Sequence, residues 1–158
     1  QVRASDGSLV LLDFGSAGQA AGVASDGLVV VTPGYAPIEQ YGIGEQGPWT
    51  DLYALGATLY WCVSGRKPPD AETRKADPRA YSRAVEAGRD VFGDAFLKAI
   101  DWALATDPAK RPRSVAEWRQ ALLADHPAAL RRFEATRRRA EGLEVTQDLS
   151  MPTTSRVV

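Results

Sequence analysis

The sequence predicts an α+β domain that is mainly α-helical, with a short β-hairpin at its N-terminus. Two observations carry this prediction. An Asp-Gly turn at residues 6–7 lies between two short extended stretches, which is the pattern of a tight hairpin. Farther along, one long apolar segment and several shorter ones show helical periodicity. The 158 residues, 44% apolar and 25% charged, have the composition of one ordinary globular domain.

The predicted hairpin consists of residues 1–3, a turn at residues 5–8 and an apolar strand at residues 9–12. Residues 16–27 contain three glycines and few side chains able to form a core, so we expect a mobile loop there. Between residues 32 and 41, two prolines and a glycine preclude a long helix. The chain therefore passes from a hairpin through loops before its helices begin.

The central helix is predicted from Thr50 to Gly65. Its only charged side chain is Asp51, and its apolar residues lie on every face, so we expect other elements to enclose it. Thr50 is predicted to cap the start of the helix, and Gly65 to end it in the left-handed conformation. At this length the helix is too short to span a bilayer. The Asp51 carboxylate either caps its own helix or holds a neighbouring loop through backbone amides.

Shorter helices follow a long polar connection. One is predicted at residues 79–87, and Asp94 is predicted to cap another that ends at Asp107-Pro108. The apolar stripe of that second helix consists of Phe96, Leu97, Ile100, Ala103 and Leu104. Ser114 and Glu117 form a capping box for the last helix. The inward face of this last helix is predicted to consist of Val115, Trp118 and Leu122.

Charge and composition limit the partners that we expect for the chain. A net charge of -1 gives no reason to expect nucleic-acid binding. The single cysteine, Cys62, excludes an internal disulfide and is predicted to pack in the core, while the lone His126 has no partner for a metal site. Without a signal peptide or a membrane span, we expect a cytoplasmic protein. Residues 125–158 are predicted to form a basic helical extension and a disordered tail.

Four stretches of the sequence resemble, in order, successive landmarks of the C-terminal lobe of protein kinases. They are Leu11-Leu12-Asp13-Phe14-Gly15, Thr32-Pro33-Gly34-Tyr35 with Glu39, Asp51-Leu52-Tyr53-Ala54-Leu55-Gly56, and Asp107-Pro108-Ala109-Lys110-Arg111-Pro112. The likeness is greatest to the eukaryotic-like serine/threonine kinases of bacteria. It covers residues 1–124. It implies a partial kinase domain with the helical C-lobe of the kinase fold.

The resemblance implies a metal and nucleotide site. Asp13 would hold the Mg²⁺ that bridges the β- and γ-phosphates of ATP. An aspartate at the end of an apolar strand, followed by a glycine that permits a sharp turn, suits this role. Residues 16–31 would be the activation loop, in which Ser16 and Ser25 are possible phosphorylation sites.

The resemblance also implies roles for residues nearer the helices. Thr32 would lie in the segment that binds the substrate, and a threonine there resembles serine/threonine rather than tyrosine kinases. Glu39 would pair with Arg111 and tie the end of the activation segment to the helical subdomain. Asp51 would accept hydrogen bonds from the backbone of the catalytic loop. The family's Ala-Pro-Glu motif is here Ala36-Pro37-Ile38-Glu39, so only the glutamate is carried over.

The family's glycine-rich loop, its strand lysine and helix glutamate, and its His-Arg-Asp loop are not found in this sequence. In the family they precede the position of Gln1, so we expect an N-terminally truncated kinase, inactive by itself, whose catalytic base lies upstream. The leading hypothesis is a transferase that moves the ATP γ-phosphoryl group to serine or threonine of protein substrates. The alternative is a pseudokinase or interaction module with the same fold and no phosphoryl transfer. A dinucleotide-binding domain is disfavoured because Gly15, Gly18 and Gly22 do not have the G-x-G-x-x-G spacing.

Overall fold

The computed structural model describes residues 3–10, 31–42, 44–126 and 131. The α-helices of this part are α1 (Pro48–Ser64), α2 (Ala71–Ala76), α3 (Ala84–Ala87), α4 (Asp94–Ala103) and α5 (Val115–Leu122). Single turns of 3-10 helix lie at Ile38–Gln40, Pro78–Ala80 and Pro108–Lys110. The helix predicted at residues 79–87 therefore divides into a 3-10 turn and α3.

Residues 3–10 form a turn without strands. The N–H of Gly7 donates to the carbonyl of Arg3 (2.9 Å), and the N–H of Arg3 donates to the carbonyl of Ser8 (2.8 Å). Gly7 has a φ of 71°, which a glycine adopts at little cost. Leu9 contributes a single-residue bridge, and the described ranges contain no strand. The predicted N-terminal β-hairpin is therefore not supported, because a ladder needs several consecutive residue pairs.

Helix α1 begins earlier than its polar residues predict. Gly47 is the N-cap and Pro48 the first helical residue, a position where the missing N–H of proline has no cost. Thr50 is the third helical residue, and its hydroxyl accepts the N–H of Gly47 (3.1 Å), so the prediction that it is the N-cap was wrong. At the other end Gly65 has a φ of 72° and donates its N–H to the carbonyl of Trp61 (2.8 Å). The left-handed stop at Gly65 is thus confirmed.

The described residues cover α1 along one side. Tyr53 and Tyr60 are buried, whereas Leu55 and Trp61 remain 49% and 51% exposed. Cys62 is exposed as well. The prediction of a helix enclosed on every face, with Cys62 in the core, is therefore wrong within this part of the chain. The physical reason is that α3 and α4 pack against the side that carries the tyrosines, so the opposite side has no described helix against it.

The core joins α1 to α4 and α5. One cluster of buried residues consists of Tyr53, Ala57, Tyr60, Ala84, Leu97, Ile100 and Leu104. The other consists of Leu52, Ala99, Ala103 and Trp118. The apolar stripe predicted for α4 is confirmed, since all its members are buried except Phe96, which packs against the first cluster. Helix α4 thus lies between α1 and α5.

Helix α4 receives its cap from a distant residue. Gly93 is the N-cap and Asp94 the first helical residue, so the prediction that Asp94 caps the helix was wrong. The N–H of Ala95 instead donates to Oδ2 of Asp125 (2.9 Å), a residue that follows α5. An aspartate side chain satisfies a free N–H of the first turn from outside the helix as well as from its own N-cap position.

Ser114 is the N-cap of α5 as predicted, but the reciprocal bond of a capping box goes to Arg113 instead of Ser114. The hydroxyl of Ser114 accepts the N–H of Glu117 (3.1 Å), and Oε2 of Glu117 accepts the N–H of Arg113 (2.7 Å). Trp118 is buried, and Leu122 packs against both core clusters. Val115 is 61% exposed, so its predicted place on the inward face was wrong. It stands at the first helical position, before the helix meets α4.

Past α5 the structure describes the chain to His126 and then Arg131 alone. The extension and tail predicted at residues 125–158 lie almost wholly outside the described residues. His126 is exposed, and its N–H donates to the carbonyl of Leu123 (2.8 Å). Across the described ranges, every helix is too short or too polar to cross a membrane.

Replacing Gly56 with alanine is expected to destabilise the protein, although alanine favours helix formation. A Cβ atom at Gly56 would lie 2.9 Å from Cβ of Ala103, where α1 and α4 approach each other. Overpacking a core contact costs about 1–3 kcal/mol, against a gain of about 1 kcal/mol in helix propensity. Urea unfolding should show a lowered midpoint for Gly56→Ala. The control is Thr58→Ala on an exposed position of the same helix, and equal midpoints for the two variants would contradict the expectation.

Candidate functional site

The predicted site residues fall into two groups. Three of them lie outside the described residues: Asp13, Ser16 and Ser25. The predicted metal, nucleotide and phosphorylation sites therefore stay predictions. The structure describes the other four, which are Thr32, Glu39, Asp51 and Arg111.

Thr32 begins a tight turn at the surface. Its carbonyl accepts the N–H of Tyr35 (3.0 Å) and the N–H of Ala36 (2.9 Å), and the residue is exposed. Gly34 has a φ of 91°, and a Cβ atom there would lie 2.7 Å from the carbonyl oxygen of Pro68. Only glycine fits this position, because its conformation and the close backbone both exclude a side chain. The turn is thus fixed against the connection that follows α1.

Glu39 and Arg111 form a buried, bidentate ion pair. Nη1 of Arg111 donates to Oε1 of Glu39 (2.6 Å), and Nη2 donates to Oε2 (3.1 Å). The side chain of Arg111 is 0% exposed, and that of Glu39 is 3% exposed. The hydroxyl of Thr50 donates to Oε1 of the same carboxylate (3.1 Å). Two parallel charge-assisted hydrogen bonds fix both distance and orientation. The pair therefore holds the 3-10 turn before α1 against the segment after α4.

The remaining donors of Arg111 hold the backbone beyond α4. Nε donates to the carbonyl of Ala105 (2.7 Å), and Nη2 donates to the carbonyl of Thr106 (3.2 Å). The guanidinium also lies over the ring of Tyr53, 4.7 Å from its centroid. A buried charge is tolerated when its partners satisfy it this fully. Arg111 thus joins three parts of the chain: the turn before α1, α1 itself and the end of α4.

Asp51 lies in the first turn of α1, and its side chain is exposed. A carboxylate near the N-terminus of a helix interacts favourably with the helix dipole. Within the described ranges no neighbouring loop donates a hydrogen bond to it. Its predicted contact with the backbone of a catalytic loop therefore stays a prediction.

Arg74 on α2 is a second buried cation, which sequence reasoning did not find. Nη1 donates to the hydroxyl of Tyr53 (2.9 Å), and Nη2 donates to the carbonyl of Leu104 (2.6 Å). The guanidinium stacks on the ring of Tyr81, 4.0 Å from its centroid. No local signal predicts this burial, because Arg74 stands in a polar stretch among other charged residues. Arg74 and Arg111 approach Tyr53 together and fix α2 and the end of α4 to α1.

Tyr81 belongs to a network around the Asp101 carboxylate. Its hydroxyl donates to Oδ1 of Asp101 (2.7 Å), and the same carboxylate accepts the N–H groups of Ala84 (2.8 Å) and Val85 (3.2 Å). Burial of the Tyr81 hydroxyl, with its hydrogen bond to Asp101 and the charge of that residue, raises the pKa of Tyr81 well above its usual value. Tyr81 therefore remains a hydrogen-bond donor throughout the neutral range, and α3 is held to α4.

The described residues do not by themselves form a metal centre. Within residues 3–10, 31–42 and 44–126, no group of three or more His, Cys, Asp or Glu side chains is placed to hold an ion. A magnesium ion bound with a nucleotide takes only one or two protein carboxylates, the rest being phosphate and water oxygens. The chemistry of a single aspartate at residue 13 is compatible with that requirement.

The comparisons relate this chain to protein kinases. No family model matches the chain. Serine/threonine-protein kinase PknA of Nostoc sp. is 30% identical over 128 residues, which are 77% of this chain and 22% of that protein. Serine/threonine-protein kinase pkn2 of Myxococcus xanthus is 33% identical over 131 residues, which are 75% of this chain and 16% of that protein. The chain thus spans 22% or less of the length of these two relatives.

A solved structure shares the fold. The structure described as PpkA-294 apo form is similar with a TM-score of 0.62 and 39% sequence identity, over 77% of this chain and 42% of that one. The helical core therefore belongs to the C-terminal lobe of the protein-kinase fold. Its sequence places the chain among the serine/threonine protein kinases of the bacterial type, as a part of that lobe.

Proposed function

We propose that the protein containing this chain transfers the γ-phosphoryl group of ATP to serine and threonine hydroxyls of protein substrates. This chain would contribute the helical lobe that binds the substrate. The observation that carries the proposal is the exposed turn at Thr32, which lies seven residues before the buried Glu39–Arg111 pair. The names of the kinase relatives support the same reaction.

The described side chains would act in this reaction by positioning. Within the turn Thr32–Ala36, the backbone of Gly34 packs against Pro68. Just after the turn, Glu39 is held by Arg111. A substrate segment bound at such a fixed surface loses its freedom before the reaction rather than during it. Correct placement of the reacting groups accounts for much of the rate of phosphoryl transfer.

Asp13 would hold the magnesium ion bound with ATP. When bound, that ion neutralises charge on the transferring phosphoryl group. The contribution of this chain would be one carboxylate, a ligand type that magnesium prefers. The general base would come from a part of the protein that this sequence does not include.

The test is the activity of the full-length protein expressed from its whole reading frame. Purified protein is incubated with radiolabelled ATP, Mg²⁺ and casein, and the phosphoamino acids are separated. We expect phosphoserine and phosphothreonine, no phosphotyrosine, and no labelling when EDTA removes the metal. A full-length protein that is folded and transfers no phosphate to casein or to itself would overturn the proposal and favour an interaction module with a kinase fold.

A further inference from the structure

A cavity of about 500 Å³ lies between the end of α1 and the start of α3. Its lining includes three cationic residues, Arg66, Lys67 and Arg79, and one acidic residue, Glu86. We call it the basic cavity. All three cationic residues are exposed at its surface. A dissolved ligand therefore has access to them.

The cations of the basic cavity lack carboxylate partners in the described part of the chain. None of Arg66, Lys67 and Arg79 forms an ion pair there. Oε2 of Glu86 is engaged at the start of α3, where it accepts the N–H of Arg83 (3.3 Å). Three positive charges thus face one carboxylate, and the cavity has an excess of positive charge.

A second cavity among the described residues shows the contrasting arrangement. It has a volume of about 550 Å³, and its lining includes Arg83, Lys98 and Lys110. Each of these three has an aspartate oxygen within 3.9 Å. Its exposed cations are therefore already compensated, and this cavity offers a weaker case for binding an anion.

Two tyrosines that are hydrogen-bonded within the protein line the basic cavity. The rings of Tyr60 and Tyr81 lie there with centroids 5.2 Å apart. The hydroxyl of Tyr60 donates to the carbonyl of Ser82 (2.8 Å), and that of Tyr81 donates to Asp101 (2.7 Å). Both hydroxyls donate within the protein, so neither donor is left for a ligand.

The basic cavity adjoins the turn that begins at Thr32. Nζ of Lys67 donates to the carbonyl of Pro33 (3.4 Å), and Gly34 packs against the carbonyl of Pro68. Lys67 thus belongs both to the cavity lining and to the support of that turn. A peptide lying on the Thr32 turn would lie next to Lys67, which lines the cavity together with Arg66 and Arg79.

We infer that the basic cavity binds acidic side chains of the protein substrate, and that Arg66 and Arg79 select substrates with aspartate or glutamate near the phosphorylated residue. This inference rests on the proposed function. Arginine suits the role because its guanidinium binds carboxylates with two donors. Single exposed ion pairs contribute little, so we expect two arginines together to give a preference of about tenfold over a neutral peptide.

The experiment compares two variants of the full-length protein. Arg66→Gln with Arg79→Gln removes two charges from the cavity and leaves the contact of Lys67 with Pro33 in place. The control, Lys75→Gln with Arg89→Gln, removes two exposed charges that do not line it. Each protein receives a serine peptide flanked by glutamates and the same peptide with glutamines. Fluorescence polarisation measures peptide binding, and labelled ATP measures kcat/KM.

For the wild type and the control we expect about a tenfold preference for the glutamate peptide, weakened by added salt. The cavity variant should bind the two peptides nearly equally. Equal binding of the peptides by the wild type, or an unchanged preference in the cavity variant, would overturn the inference. If the glutamate peptide binds with the expected preference and is never phosphorylated, the proposed kinase activity fails while the acidic-peptide site stands.

Discussion

Replacing Arg111 with methionine is expected to destabilise the protein by about 3–5 kcal/mol, because a buried charge is left without its partner. Among the described residues, Glu39 would keep only the hydrogen bond from Thr50, in a site where its side chain is 3% exposed. The carbonyls of Ala105 and Thr106 would lose their donors at the same time. Thermal and urea unfolding of the purified variant measure the loss.

A double-mutant cycle separates the charge effect from the lost packing. Glu39→Gln with Arg111→Met removes both charges, so we expect the double variant to be more stable than the sum of the single variants predicts. Lys110→Met is the control, because Lys110 immediately precedes Arg111 and its side chain is 77% exposed. A loss below about 1 kcal/mol for Arg111→Met, similar to that of a surface change, would show that the pair does not hold the lobe together.

Replacing Asp13 with asparagine is expected to lower phosphoryl transfer by the full-length protein at least about 10²-fold while leaving its fold intact. The carboxamide has the shape of the carboxylate without the negative charge that a magnesium ion requires. Losing one group that stabilises the transition state costs about 10²–10³-fold in rate, and a metal ligand belongs in this range or above it. Transfer of phosphate from labelled ATP measures the rate, and circular dichroism checks the fold.

Asp6→Asn is the matched control for Asp13→Asn. The same substitution at Asp6 changes an exposed turn seven residues earlier in the sequence. There the carboxylate of Asp6 accepts the N–H of Ser8 (3.0 Å). We expect this control to keep wild-type activity. An Asp13→Asn protein that phosphorylates casein at the wild-type rate would remove Asp13 from the metal site.

The periodicity of apolar residues predicted which side of a helix faces the core. Leu97, Ile100 and Leu104 were found from their spacing because a helix buried on one side needs that spacing. The stop at Gly65 follows from the conformation that glycine alone adopts cheaply. Glu39 and Arg111 were singled out only through the family resemblance, since nothing local to either residue indicates a partner so far along the chain.

The features that depend on tertiary contacts could not be predicted. Leu55 and Trp61 are as apolar as their buried neighbours, so composition did not tell which side of α1 the described helices cover. Arg74 is buried because Tyr53, Tyr81 and the carbonyl of Leu104 meet around it, and these come from different elements. The local sequence around Arg74 does not indicate contacts between residues so far apart in the chain.

The ion pair of Glu39 also determines how the lobe opens by local unfolding. A surface turn ordinarily opens at a small fraction of the global free energy of unfolding. The turn Ile38–Gln40 does not, because releasing it would strand Arg111, which also secures the chain after α4. These two distant parts therefore form one cooperative unit. A movement of the turn at Thr32 therefore ends at Glu39. The chain after this residue moves only if the helical core also unfolds.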